Sequence, residues 1–231
     1  MTAAVRAFPR GRPIPAVGSG KVRKTREILG IYGVMSTAGL IGRGRTDMPE
    51  PMTTTGLILP WKGILPKIDK GAFIAPTAAV IGDVVIGPEV GVWFGVTIRG
   101  DMNFIRIGRR VNIQDGTVVH VDSRKYPTHI GDNVTIGHGA IIHACTLQDG
   151  CFVGMQACVM DGAVVETGAM VAAGALVTPG KVVKAGQLWA GRPAKYLRDC
   201  GEQERELITR VPPEYWALAE HYLKAGIGVV K

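Results

Sequence analysis

Five histidines occur in this 231-residue chain: His120, His129, His138, His143 and His221. Near neutral pH the imidazole is both a proton carrier and the commonest metal ligand. His120 directly follows Val119, His143 directly follows Ile142, and His138 stands two residues after Ile136. Polar side chains interrupt the same aliphatic runs: Arg99-Gly100-Asp101 after Ile98, and Asn112-Ile113-Gln114-Asp115. Three neutral imidazoles with an open fourth position form the ligand set of a catalytic zinc site. Whether these three can meet depends on the elements that carry them.

Those elements repeat every six residues. Ile74, Val80, Ile86, Val92 and Ile98 are six apart. After a phase shift come Ile107, Ile113 and Val119, then the loop VDSRKYPTH, then Ile130, Ile136 and Ile142. After one deletion follow Leu147, Val153, Val159, Val165, Val171, Val177, Val183 and Trp189. A hexapeptide period is the signature of a parallel β-helix. The fold class is therefore mainly β: a left-handed parallel β-helix with C-terminal α-helices. Each unit gives one short strand and a turn, three units close an 18-residue coil, and about six or seven coils are predicted. The composition agrees: 32 glycines are about twice the average share, which suits tight corners, and aromatics are only 6%. The glycines lack the every-third-residue period of collagen.

The repeat places the histidines. His120 and His143 hold the same position in their hexapeptides. Their separation of 23 is one 18-residue coil plus five residues, which the loop at 121–129 absorbs. They are expected to stack on one face, one coil apart. His138 and His143 are five apart across a corner, on different faces. One chain does not bring all three together, but two from one subunit and one from the next would, giving three equivalent sites in a three-fold ring. The Asn112–Asp115 cluster is placed one coil below the strand of His120, with Gln114 near enough to hydrogen-bond a metal-bound hydroxide. Arg99 and Asp101 could alternatively be an inter-coil or inter-subunit salt bridge.

Charge separates the chain into segments. The net charge is +8, but residues 1–50 hold nine Lys/Arg and three acids, and the rest is close to neutral. Residues 1–55 read as a basic leader, 56–190 as the β-helix, and 191–231 as a helical segment packing on it. A near-neutral repeat domain excludes a basic face for nucleic acid. The apolar run 28–41 is too short to span a membrane as a helix. The leader reads as a disordered tail or an over-long start, and its Arg-rich, acid-poor similarity to an organellar transit peptide is the alternative. The location is read as cytoplasmic, or mitochondrial if residues 1–50 are a transit peptide. Cys145, Cys151, Cys158 and Cys200 form no CxxC pair and read as reduced apolar residues. Residues 202–224 are amphipathic, and Pro212-Pro213 is expected to split them into two helices along the outside of the prism.

The stretches RGD, NIQDGTVVH, IGHGAIIHACTL and FVGMQACVMDGAVV together resemble the γ-class carbonic anhydrases and their γ-carbonic-anhydrase-like relatives. The resemblance covers about residues 57–225, from ILPWKG to beyond GRPAKYLRD. It implies a homotrimer hydrating CO2 to bicarbonate, with Zn2+ (or Fe2+ or Co2+) held by His120, His138 and His143 at subunit interfaces. It implies roles for Asn112 and Gln114 beside the metal-bound solvent, and for Arg99, Asp101 and Asp115 in organising the site. Tyr215 matches a helix tyrosine that reaches the site in shorter members. The chain departs from the archetypal pattern at two places tied to proton transfer. Met102 follows Asp101 where those enzymes carry Glu, and the loop after His120 lacks their acidic run, leaving Asp122 or Tyr215. These departures motivate one alternative, a non-catalytic assembly subunit. The shared hexapeptide period motivates another, an acyltransferase or thioesterase.

Overall fold

The computed structural model describes residues 55–228. The leader 1–55 and any transit peptide within it lie outside the described residues, except for Thr55. From Leu57 the chain winds into a three-sided parallel β-helix. The first face stacks Leu57–Leu59, 79–81, 97–99, Val118–His120, Ile141–His143, Cys158–Val159 and Leu176–Val177. The second runs from Lys67–Ile68 to Val182–Val183, and the third from Phe73–Ile74 to Gln187–Gly191.

The period-six aliphatic residues point into the prism. From Ile74 to Val183 all are buried, and Trp189 packs against them at the end. Like residues stack in ladders, such as Val92, Ile113, Ile136, Val153 and Val171. Coils one strand spacing apart leave no room for Cβ at some corners. A Cβ on Gly137 would lie 2.5 Å from the Met155 amide nitrogen, and one on Gly154 would lie 2.4 Å from that of Ala173. The regular coil takes two insertions, both beside the histidines, and one deletion between Ile142 and Leu147. Strand Thr97–Ile107 carries extra residues at Asp101–Asn103, where the pairing with Ala79–Ile86 shifts register. Such a bulge re-aims side chains. The loop after His120 absorbs the other insertion, so that His143 pairs in register with His120.

The C-terminal segment differs from expectation. The chain first reverses into an antiparallel strand, Ala194–Asp199, against Gln187–Gly191. One continuous helix, Glu202–Lys224, then follows in place of two. Pro212 and Pro213 lie inside it and remove two N–H donors, which ordinarily costs about 3 kcal/mol or more. Packing offsets this. Pro212 and Ala219 are buried, and Tyr215, Trp216, Tyr222 and Leu223 pack on the prism. Tyr222 meets Phe73, Trp93 and Phe94 at ring separations of 5.4–5.9 Å. Arg210 bridges the proline turn through Glu206 and Glu214. Fixed φ near −65° is itself helical, so an anchored proline pair need not break the element. Among the described residues no helix is long and apolar enough to cross a membrane.

The helix start is held by Glu204. Its carboxylate accepts from the Gly201 amide at 2.7 Å and pairs with Arg198 at 2.9 and 3.0 Å. The Arg198 contact, reinforced by the Gly201 amide, lowers its pKa to about 2 from 4.5. A carboxylate with a depressed folded pKa stabilises the fold above its unfolded pKa, and that contribution fades as pH falls toward the folded value. Glu204→Gln should therefore melt at lower temperature than the parent at pH 7, and the gap should close between pH 4.5 and 2. A gap independent of pH in thermal unfolding would contradict the assignment.

Candidate metal centre

His120 and His143 are register partners one coil apart, as the repeat required. His120 Nδ1 and His143 Nε2 stand 3.2 Å apart. The far side of each ring is held by a carboxylate. His120 Nε2 lies 3.0 Å from Asp101 Oδ1, and Asp101 Oδ2 is paired with Arg99. His143 Nδ1 contacts Asp161 Oδ1 in a short hydrogen bond. Burial raises the Asp101 pKa, but Arg99 and His120 outweigh it, and the group stays below its ordinary value. Burial lowers the His120 pKa, helped by the Arg99 charge and opposed by Asp101. The ring is accordingly neutral at pH 7.

A carboxylate only accepts, so the nitrogen facing it carries the ring proton. With both rings neutral, each has its lone pair on the other nitrogen, so the contact between His120 Nδ1 and His143 Nε2 then brings two lone pairs together. That is unfavourable unless a cation lies between them. Two nitrogens bound tetrahedrally to zinc, each 2.0–2.1 Å from it, stand about 3.3–3.4 Å apart. The observed 3.2 Å fits. Carboxylate–histidine pairs of this kind fix tautomer and ring direction in zinc sites.

His138 is not on a different face from His143 but in the turn at the opposite end of the same face, because that turn leads directly into strand Ile141–His143. Its Nδ1 lies 3.0 Å from Asp115 Oδ2. Its backbone N–H donates to Gln114 Oε1 at 3.2 Å. Among the described residues of one chain, no three His, Cys, Asp or Glu side chains converge on a cation position.

The predicted residues thus form two half-sites. Arg99, Asp101, His120 and His143 share one corner; Gln114, Asp115 and His138 share the other. Asn112 is not one coil below His120 but in the same coil, on the preceding face, because Asn112–Ile113 is the strand before Val118–His120. Its side chain is buried, its Oδ1 accepts from Trp93 Nε1 at 2.9 Å, and its Nδ2 has no partner. Tyr215 packs edge-on against Trp93 with ring centroids 5.4 Å apart, and burial, with the Asp115 charge, raises its pKa. Asp122 is consumed locally: its Oδ2 accepts from the amides of Arg124 and Lys125 at 2.9 and 2.7 Å. Asp161 escaped the sequence reading. It stands one 18-residue coil after His143, a spacing that would have revealed it.

Fold and site together define a hexapeptide-repeat β-helix protein with a carboxylate-backed histidine centre. The chain is 48% identical over 160 residues to the γ-carbonic anhydrase 2, mitochondrial, of Arabidopsis thaliana, covering 67% of this chain and 58% of that protein. It is 45% identical over 166 residues to a carbonic anhydrase of Geobacillus kaustophilus, covering 72% and 91%. It superposes on a hexapeptide transferase family protein from Anaplasma phagocytophilum with a TM-score of 0.69 and 49% identity, covering 72% and 98%. For a putative acetyltransferase from Bacillus cereus the TM-score is 0.72 and the identity 36%, covering 75% and 99%. No protein-family model matches. The chain belongs to the γ-carbonic anhydrase family. It spans 58% of the length of the plant relative first named.

Asp161 supplies the test of the paired-lone-pair geometry. Asp161→Ala should weaken zinc binding about 10–100-fold in competition with a chelator, because the His143 tautomer is no longer fixed. Unchanged affinity would refute that role.

Proposed function

We propose that this protein is a trimeric, zinc-dependent carbonic anhydrase that interconverts CO2 and bicarbonate. One observation carries the reading: His120 Nδ1 and His143 Nε2 stand 3.2 Å apart, each ring backed by a carboxylate on its other nitrogen. His138, held by Asp115 at the other corner of the face, would supply the third nitrogen to the neighbouring copy. A bound zinc provides hydroxide at neutral pH by lowering the pKa of its water to about 7, the value typical of carbonic anhydrase zinc. Fe2+ or Co2+ would suit the same donors.

The chain's own groups have definite tasks in this reading. Asp101 and Asp161 hold the two rings of one half-site, and Arg99 keeps Asp101 ionised. Gln114 Oε1 is occupied by the His138 amide, which leaves its Nε2–H donors for substrate oxygen. Asn112 is fixed by Trp93 behind that corner and acts as a positioning residue. Outward-facing Val118 and Ile141 lie between the two half-sites and are exposed, as an interface between copies requires. The word "mitochondrial" in the plant relative's name, with the basic, acid-poor sequence of residues 1–50, favours a mitochondrial address over a cytoplasmic one.

A second reading, a non-catalytic assembly subunit with the same centre, is favoured by Asp122, whose carboxylate is tied into its own turn. Metal and turnover separate the two. His120→Ala, His138→Ala and His143→Ala should each lose most bound zinc and CO2 hydration. His129→Ala and His221→Ala should lose neither, since His129 packs on Phe104 and His221 lies in the last helical turn. Imidazole buffer should raise kcat with little effect on kcat/KM, because the Asp122 carboxylate, a candidate for carrying the proton away, is tied into its own turn. Zinc retained by all three ligand variants would sink the metal assignment. Zinc present with no rate in any buffer would leave the assembly reading.

A further inference from the structure

The β-helix closes on an aromatic residue. The inward ladder of the third face passes from Val153 to Val171 and then to Trp189. After Gly191 the chain doubles back, and Tyr196 becomes the antiparallel register partner of Trp189. Paired residues in such a ladder present their side chains on the same side. Both line a cavity of about 400 Å3 at the end of the last coil, together with Thr178, Lys181, Pro193 and Lys195. Small-molecule pockets typically measure roughly 300–1,000 Å3, apolar with a few placed polar groups.

Two features point to the kind of occupant. Tyr196 lines the cavity and is 51% exposed, so aromatic surface stands open to solvent. Its hydroxyl donates to Asp199 Oδ1 at 3.1 Å. At the rim, Lys181 and Lys195 have no ion-pair partner: among the described residues the paired lysines are Lys184 and Lys224. An aromatic wall under two unneutralised ammonium groups is complementary to a flat body bearing a negative charge. Exposed charges of this kind act at long range only at low ionic strength, since screening sets in over about 10 Å at 0.1 M salt.

We propose that this terminal cavity binds a small planar organic anion, an aromatic carboxylate of one or two rings, with its ring against Trp189 and Tyr196 and its carboxylate toward Lys181 and Lys195. The assignment is independent of the histidine centre. The test uses the full chain, with 2-naphthoate and its neutral counterpart 2-naphthylmethanol as probes, followed by calorimetry and tryptophan fluorescence at low and high salt. Naphthoate should bind at least tenfold more tightly than the alcohol at low salt, with the ratio shrinking at high salt. The double substitution Lys181→Glu, Lys195→Glu changes only exposed side chains and should abolish that preference. Tyr196→Ser should weaken both probes severalfold. Binding should survive in His120→Ala. Equal affinity for the two probes, an unchanged double variant, no binding at millimolar probe, or loss of binding in His120→Ala, which would place the anion on the metal, each overturns the proposal.

Discussion

Stacking of one coil on the next, by backbone hydrogen bonds along three faces, is the constraint from which the rest of this protein follows. Side chains one coil apart in sequence become neighbours in space. The aliphatic ladders exist because every sixth residue faces the axis. The corners stay tight because glycines such as Gly137 and Gly154 lie against the backbone of the next coil, closer than a Cβ allows. A polar residue placed in the same register is stacked with equal force, and that is how His120 and His143 are brought together.

This enforced proximity has an electrostatic consequence. Two imidazoles, each hydrogen-bonded to a carboxylate through one nitrogen, are pushed together through the other. Arg99 keeps Asp101 ionised, and Asp101 and Asp161 in turn decide which nitrogen of each ring is free. The three residues from Asp101 to Asn103 and the loop after His120 are departures from coil regularity, and both lie beside this centre. Irregularity in an otherwise periodic chain is concentrated where the chemistry is.

The period was readable because burial on a narrow prism leaves no freedom: all the aliphatic positions of the repeat are interior. The shared position of His120 and His143 followed from counting against the 18-residue coil. The same count places Asp161 one coil beyond His143, but no contiguous motif joins the two. Asn112 lies on the preceding face of its own coil rather than in a neighbouring coil, because its strand leads directly into that of His120. The single C-terminal helix was not readable, because local rules place a break at Pro212-Pro213 while packing of Pro212, Tyr215 and Trp216 on the prism decides otherwise. The hairpin that closes the β-helix at Trp189 is likewise set by long-range pairing with Tyr196, invisible to a local pattern.

A centre shared between chains is tested most directly by subunit complementation. His120→Ala and His138→Ala chains, each poor in zinc alone, are unfolded, mixed in equal amounts and refolded together. If one copy supplies His120 and His143 and the next supplies His138, random reassembly in a three-fold ring restores about a quarter of the native zinc. A mixture that holds no more zinc than its parents would show that each centre is built within one chain, and would contradict the account.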